Sequence, residues 1–559
     1  MEKILLVEPN YRNKFPPLGL MKIATYHRNK GDIVEFYKGE APYTQIISKD
    51  RIYITTLFTF HYDVTLKCIL HYCKYFNNDS IFVGGIAATL LAADFKKDAG
   101  ISNIVEGQLT SSKILGYQDD VNIDSLPLDY DILDDVLYKY PAGDNYFVHT
   151  TRGCPRGCPF CAVRILEPKF KTTNSIIDQV TIVDQTYHQK RNLLVMDNNI
   201  LCSPKLKEII SDIYSLGFTG KATYINPNSF EQMLGKIRRR KAFGVDYSKQ
   251  LFETIDLLKK FAIRLQRYPK VYRDFEEAID SISQSSSIEK DLGKNSEFLL
   301  SITEKYRSKT KMVRYVDFNQ GIDARLVNER TIKILSTIPI RPFRLAYDSI
   351  TDTDIYQRAT QLAIENGVKH FSNYILYNWE DKPEDLWIRL NNAVALYGGN
   401  NNIGGFSFPM KYAPVNEKDR SYIGRFWNKK YLDAINIIIN VTNGVVAKEQ
   451  DFFYEAFGHN VEEYLEILNM PDDFIRNRFF FRDNGLLNYW KDLFRSLTKK
   501  EKAYLLDLLC GYTKDKAIDN QDHPIRVKKI LVLYSIQKSQ FDKGEKSYQS
   551  VIKEVESIQ

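Results

Sequence analysis

The chain has 559 residues, of which 44% are hydrophobic and 26% are charged, so it can form more than one packed core, and its composition argues against long disorder. Its formal net charge of +7 is too small for this length to decide between RNA, nucleotides and acidic metabolites as partners. The first residues do not resemble a signal peptide, and no apolar stretch reaches the length of a membrane span. We therefore expect a cytoplasmic protein that does not enter a membrane.

The first 115 residues alternate strand and helix patterns, with helical spacing over 18–30 and 63–76. Strands that alternate with helices predict a doubly wound, Rossmann-like domain with a parallel sheet. The polar segment 116–145 is expected to be a linker. The predicted strands of this domain are 3–8, 32–38, 51–58 and 80–85.

The alternation resumes at residue 146 and continues to residue 415. Six strand-like runs separated by helices predict a partial (β/α) barrel rather than a second open sheet. Residues 227–311 break the rhythm and predict a helical insertion, and residues 416–559 predict a mainly helical C-terminal domain. The six runs are 146–151, 191–197, 313–319, 342–348, 370–377 and 403–409.

Cysteines are few but clustered, because three of the seven lie in the stretch HTTRGCPRGCPFCAV, at Cys154, Cys158 and Cys161. A structural zinc site needs four ligands, and a four-iron cluster usually takes four cysteines. Three thiols leave one metal position open, which indicates chemistry rather than scaffolding. His149 and Cys202 are conceivable fourth ligands, but neither has a spacing typical of zinc ribbons. The other cysteines are expected to be reduced, buried thiols: Cys68, Cys73, Cys202 and Cys510.

The cysteine spacing resembles the C-x3-C-x2-C signature of the radical S-adenosylmethionine (SAM) enzymes, and Phe160 before the last cysteine matches as well. The resemblance implies that the three cysteines hold a [4Fe–4S] cluster whose fourth iron binds SAM. It also implies that one electron splits SAM into methionine and a 5′-deoxyadenosyl radical, which abstracts hydrogen from a substrate. The sequence does not identify that substrate. An electron donor such as a flavodoxin or ferredoxin is the implied partner.

Polar residues at the ends of later predicted strands are candidates for binding SAM. In radical SAM enzymes the next strand supplies groups for the SAM ammonium, and here it ends in Asp197, Asn198 and Asn199. An Asx-rich turn is the alternative for these three residues. Arg325 and Asp348 either bind the SAM carboxylate and ribose or pair within the barrel. Ser349 follows Asp348 where related enzymes often show Glu-Ser.

The N-terminal region resembles the cobalamin-binding domain that is fused to some radical SAM barrels. Gly84 and Gly85 match the glycine segment that lies along the nucleotide tail of cobalamin, and Thr55 lies where a Ser-x-Leu is often found. The Asp-x-His-x-x-Gly motif that supplies a cobalt ligand is missing. The domain therefore either holds cobalamin with an open lower face or covers the barrel without it. With cobalamin, methyl transfer to a substrate carbon is the implied reaction.

A zinc-containing nucleic-acid-binding protein is the competing hypothesis. The basic run KIRRRK at 236–241 and the 36 tyrosines favour phosphate contacts and base stacking. The alternative for KIRRRK is a solvated helix face. Metal analysis separates the two functions, because the radical SAM hypothesis predicts iron and sulfide and the other predicts zinc.

Overall fold

The computed structural model describes residues 1–172, 175–398, 402–511 and 523–558. The prediction of C-terminal helix over 512–522 and at residue 559 lies outside the described residues. The chain divides into two compact units. The first comprises Met1–Gln320, Lys333–Arg341 and Val415–Arg420. The second comprises Gly321–Ile332, Pro342–Pro414 and Ser421–Gln559.

The described residues form a mixed α/β protein with parallel sheets, as the sequence predicts. Its strands are β1 (Lys3–Glu8), β2 (Ile33–Lys38), β3 (Arg51–Thr56), β4 (Ile81–Gly85), β5 (Ile104–Val105), β6 (Tyr146–Val148), β7 (Thr151–Arg152), β8 (Lys171–Thr172), β9 (Leu193–Val195), β10 (Thr223–Tyr224), β11 (Met312–Val313), β12 (Val316–Phe318), β13 (Phe343–Ala346), β14 (His370–Tyr377), β15 (Gly404–Lys411) and β16 (Val446–Ala447).

The α-helices follow the same chain order. They are α1 (Leu18–Asn29), α2 (Tyr43–Ile46), α3 (Tyr62–Cys73), α4 (Ile86–Leu90), α5 (Ala92–Ala99), α6 (Val163–Leu166), α7 (Ile176–Tyr187), α8 (Leu206–Ser215), α9 (Ser229–Ala242), α10 (Ser248–Leu265), α11 (Pro269–Ser283), α12 (Ile288–Tyr306), α13 (Glu329–Leu335), α14 (Thr353–Glu365), α15 (Pro383–Gly398), α16 (Lys429–Val441), α17 (Gln450–Phe457), α18 (Val461–Asn469), α19 (Asp472–Arg476), α20 (Arg478–Asp483), α21 (Leu486–Ser496), α22 (Lys499–Gly511), α23 (Ile525–Tyr534), α24 (Lys538–Asp542) and α25 (Tyr548–Glu556).

The N-terminal sheet is parallel, with strand order β2-β1-β3-β4-β5. Leu5 and Val7 of β1 pack in one hydrophobic cluster with buried side chains of α3 and α5. Because side chains alternate along a strand, Ile4 and Leu6 point to the other face, and α1 packs on the same strands. Helices on two faces make this the doubly wound sheet that the sequence predicts.

The predicted linker, residues 116–145, is hydrogen-bonded to α1. The backbone N–H of Asp129 donates to the carbonyl of Met21 at 3.2 Å. The hydroxyl of Thr25 donates to the carbonyl of Pro127 at 2.8 Å. The segment is therefore fixed on the N-terminal sheet domain by backbone and side-chain hydrogen bonds.

Each of the six strand-like runs after residue 146 contains a strand. In the first unit, β6, β9 and β12 form a parallel sheet in chain order. In the second unit, β13, β14 and β15 are parallel in chain order, and β16 adds an antiparallel edge. Parallel neighbours in chain order are what successive strand–helix–strand units produce. A partial barrel that contains all six strands remains a prediction.

The predicted insertion is helical and has a hydrophobic core of its own, formed by buried side chains of α9 to α12. The basic run KIRRRK lies on α9, and four of its five cations pair with carboxylates. Arg238 and Lys241 are exposed, as the solvated-face alternative expects, whereas Arg240 is buried and most of the cations are already paired, so the run is not an open phosphate-binding surface. The four pairs are Lys236–Asp134 at 2.7 Å, Arg239–Asp131 at 2.7 Å, Arg240–Asp135 at 2.6 Å and Lys241–Glu289 at 2.5 Å.

Candidate functional site

The three clustered cysteines occupy a loop between β7 and α6. All three are half-buried and none forms a disulfide, and Phe160 between the last two is half-buried as well. The sulfur of Cys154 accepts the backbone N–H of Arg156 at 3.5 Å and the side-chain amide N–H of Asn199 at 3.7 Å. Donors of this kind stabilise a thiolate and tune a cluster that it ligates. Asn199 at the end of β9 therefore lies beside the first cysteine.

Gly153 makes the turn into this loop, at a backbone angle φ of +75°. A β-carbon at this position would lie 2.5 Å from the carbonyl oxygen of Lys169 and 2.8 Å from that of Glu167. Glycine is thus required both by the backbone conformation and by the close approach. Gly157 differs, because a β-carbon there would have nothing within 4 Å.

The carboxylate of Glu167 ties both ends of the loop together. It accepts the backbone N–H of Gly153 at 2.6 Å, the guanidinium of Arg152 at 2.9 Å and the side-chain amide of Asn198 at 2.7 Å. Asn198 follows β9, so this one carboxylate joins the cysteine loop to the neighbouring strand. Sequence reasoning missed Glu167, because a lone glutamate after the motif carries no recognisable pattern.

Asp197 is 3% exposed and holds the two residues after His149. Its carboxylate accepts the backbone N–H groups of Thr150 at 2.7 Å and Thr151 at 2.8 Å. It also accepts the hydroxyl of Thr151 at 2.7 Å and that of Thr150. Burial raises the pKa of Asp197 above its ordinary value, although these four hydrogen bonds oppose the shift. The geometry favours a positioning role over the predicted role as receptor of the SAM ammonium.

Asp197→Ala should lower the free energy of unfolding. Two backbone N–H groups and two hydroxyls would lose their acceptor, and each buried donor left without one costs about 1–3 kcal/mol. Denaturant unfolding of the two proteins measures the difference. Asn198→Ala, which removes one hydrogen bond, serves as the control and should cost less. Unchanged stability with weakened SAM binding would instead establish the ammonium role.

Three further candidate residues lie in the second unit. The guanidinium of Arg325 pairs with Asp323 at 2.7 Å. The hydroxyl of Ser349 accepts the N–H of Thr351 at 3.2 Å and so caps a short 3-10 helix. Burial raises the pKa of Asp348 to about 6, although the charges of nearby arginines lower it. Asp348 is therefore a buried carboxyl whose pKa lies above that of an exposed aspartate.

Arg389 of α15 organises the strand ends around Asp348. It is completely buried, and its guanidinium pairs with Asp381 at 2.6 Å. The same group donates to the carbonyl oxygens of Asp348 at 2.9 Å and Leu376 at 2.7 Å. It therefore ties the end of β13 to β14. Sequence reasoning missed it, because an arginine in an amphipathic helix is ordinarily exposed.

Asp348→Asn should change the pH dependence of stability in a defined direction. The folded-state pKa of about 6 exceeds the ordinary value of 3.8. The stabilisation from this protonated carboxyl is therefore complete below about pH 4 and lost as pH rises through about 6. The asparagine variant, which stays neutral, should gain thermal stability relative to the unchanged protein over this range. Melting temperatures of both proteins at several pH values test this, and a pH-independent difference would contradict it.

The glycine pair of the N-terminal sheet is explained by packing within the domain. Gly85 has φ +114°, and a β-carbon there would collide with the carbonyl oxygen of Thr56 on β3. A β-carbon on Gly84 would lie 3.4 Å from that of Val105 on β5. Thr55 is half-buried and lies opposite Gly84 in the sheet. The space beside Gly85 is thus filled by a neighbouring strand, and this observation does not fit a cradle for the cobalamin tail.

The remaining cysteines differ in part from expectation. None of them forms a disulfide, but only Cys68 is buried, whereas Cys73, Cys202 and Cys510 are half-buried. The loop cysteines, the residues after β9 and the glycine pair all belong to the first unit. Arg325, Asp348 and Ser349 belong to the second unit.

Comparison with known proteins adds no family. No protein-family model matches the chain, and a search of curated proteins found no match. None of the helices in the described ranges is long and apolar enough to cross a membrane. The functional interpretation therefore depends on the cysteine loop and the residues that hold it.

Proposed function

We propose that the chain is a radical SAM enzyme. The observation that carries this function is the loop of three cysteines, none in a disulfide, which follows β6 of a parallel sheet and the short strand β7. Three thiols match a four-iron cluster with one iron open to SAM. The N–H donors at Cys154 and the glycine-dependent turn at Gly153 support the same interpretation, since they are suited to a thiolate ligand on a tightly wrapped loop.

We also propose that the strands after residue 146 form a barrel. On this view β6, β9, β12, β13, β14 and β15 are the strands of a partial (β/α) barrel of the radical SAM type. The order of neighbours within each sheet supports this, as does the position of the cysteine loop after the first of these strands. The N-terminal parallel sheet is then the Rossmann-like domain that accompanies some barrels of this type.

The proposed roles of the residues follow from their positions. When bound, the cluster would supply the electron that splits SAM into methionine and a 5′-deoxyadenosyl radical. The three cysteines hold the irons, while Glu167 and Asp197 fix the loop that carries them. Asn198 and Asn199 follow β9 beside this loop and are candidates for SAM contacts. Arg325, Asp348 and Ser349 are proposed contacts for the rest of SAM.

Product analysis tests this function directly. Anaerobically reconstituted protein is incubated with SAM and dithionite, and 5′-deoxyadenosine and methionine are measured by mass spectrometry. Both products are expected, and neither should form without reductant or when all three loop cysteines are replaced by alanine. If reconstituted protein that contains the full cluster forms no 5′-deoxyadenosine, the proposed reaction is wrong. A flavodoxin or ferredoxin is the physiological electron donor that we propose.

Cobalamin-dependent methyl transfer is a more specific version of the proposed radical SAM reaction. The sequence resemblance supports it, whereas the filled space at Gly85 does not, so we derive no reaction step through cobalamin. Refolding with hydroxocobalamin should give stoichiometric corrin absorbance if the cofactor binds. Protein that retains no corrin but still forms 5′-deoxyadenosine would leave hydrogen abstraction as the reaction.

The zinc-containing nucleic-acid-binding alternative loses its main support. Four of the five cations in KIRRRK pair with carboxylates of the chain, three of them with the segment 131–135. Phosphates would have to displace these pairs. Zinc without sulfide in the purified protein would nevertheless restore this alternative.

A further inference from the structure

A cavity of about 310 Å³ lies in the first unit beside the cysteine loop. Its volume falls at the lower end of the range of small-molecule sites. The described lining includes none of the three loop cysteines. Its lining includes the apolar side chains of Leu18, Leu128 and Phe147 and the cationic side chains of Lys22, Arg152 and Lys171.

Positive charge is in excess around this cavity. Asp124 pairs with Lys22 at 3.0 Å and with Arg152 at 2.5 Å, and Glu167 pairs with Arg152 from the loop side at 2.9 Å. With Lys171 there are three cations against two carboxylates, which leaves one positive charge. Burial lowers the pKa of the lining His149 well below its ordinary value, so its ring adds no charge at neutral pH.

Two of the cations occupy an unfavourable pairing. Arg152 of β7 and Lys171 of β8 are directly opposite each other in an antiparallel ladder. Side chains at such positions are close neighbours on one face, and like charges there repel. Lys22 also has donor capacity to spare, because its ammonium has three N–H groups and the described bonds to Asp124 use two.

We propose that this cavity binds a small organic anion, a carboxylate or a phosphate ester with an apolar body. The anionic group lies between Lys22, Arg152 and Lys171, where it converts the repulsion of the opposed cations into two attractive contacts. The apolar body lies against Leu18, Leu128 and Phe147. Binding of the anion does not depend on the proposed radical chemistry, because the described lining includes none of the three loop cysteines.

Calorimetric titration of the full-length protein tests the site with three probes. Phenyl phosphate and 3-phenylpropionate carry the two anionic groups, and neutral 3-phenylpropanamide is the matched comparator. At least one anion should bind saturably, with an affinity that falls as salt is added, and the amide should not bind. The anion that binds more tightly identifies the ester or the carboxylate as the natural class.

Charge reversal at the rim locates the binding. Lys171→Glu should lower the binding affinity for the anion by about tenfold or more, because a charge-assisted hydrogen bond is lost and a repulsion is added. Lys169→Glu, an exposed cation two residues away that does not line the cavity, should leave the affinity unchanged. Melting temperatures confirm that both variants fold.

Three results would overturn the site: no saturable binding of either anion, equal binding of the amide, or an unchanged affinity in the Lys171→Glu protein. The variant with alanine at all three loop cysteines should bind the anion like the unchanged protein. This outcome is independent of SAM cleavage, so failure of the anion site and failure of the radical SAM function are distinguishable.

Discussion

Replacing Cys154, Cys158 and Cys161 together by alanine should leave the anaerobically reconstituted protein with almost no iron or sulfide. The unchanged protein should hold about four of each per chain, because three thiolates bind three irons and the fourth is left to SAM. Iron and sulfide assays on both proteins, with the absorbance of the cluster, measure the difference. Retention of full iron by the variant would show that the loop is not the metal site.

Single replacements elsewhere are the controls for this result. Cys510→Ala removes a half-buried thiol of the second unit and should keep all of the iron. Cys202→Ala should keep it as well. If Cys202→Ala loses the iron, Cys202 is a fourth ligand, and the open iron that SAM needs does not exist.

Gly153→Ala should disrupt the cysteine loop without removing any thiol. The methyl group would meet the carbonyl oxygens of Lys169 and Glu167, and the positive φ disfavours any side chain. Strain of this kind costs about 1–3 kcal/mol, and relief requires the loop to move. We expect a lower melting temperature and a reconstituted iron content well below that of the unchanged protein.

Gly157→Ala is the matched control in the same loop. Its added methyl group has open space and needs no change of backbone. Stability and iron content should therefore stay near those of the unchanged protein. If both glycine variants lose iron equally, the steric explanation for Gly153 is wrong and general loop flexibility is the cause.

Most strands could be predicted from the sequence, because the hydrophobic periodicity that indicates a strand is visible within a few consecutive residues. The strand predicted over 370–377 coincides with β14, and each of the other strand-like runs after residue 146 also contains a strand. The predicted ends of the strands were less accurate than their positions along the chain. The run 51–58 was predicted as strand throughout, whereas β3 ends at Thr56 and a 3-10 helix follows at Thr59–His61. Apolar Leu57 and Phe58 extend the pattern beyond the point where the backbone turns.

Only part of the candidate site could be predicted from the sequence. The three cysteines lie close together along the chain, whereas the residues that hold the site in place contact partners far away in the sequence. Spacing alone identified the three cysteines. The contacts of Asp197 with Thr150 span 47 positions, and those of Arg389 with Asp348 span 41. Such partners follow from tertiary packing, which no short pattern encodes. The ion pairs of the basic run on α9 were missed for the same reason, because three of its four acidic partners lie about a hundred positions earlier.

The ion pairs between α9 and the segment 131–135 limit how this protein can be shortened. Helices α9 to α12 have their own core and would look like a removable module in domain engineering. Their loss would strip Asp135 of Arg240 and Asp131 of Arg239, and among the described residues only Arg28, 4.0 Å away, would remain beside Asp131. Breaking a buried pair from one side costs about 3–5 kcal/mol. A trimmed protein, or a descendant that loses this module, therefore has to neutralise those aspartates at the same time.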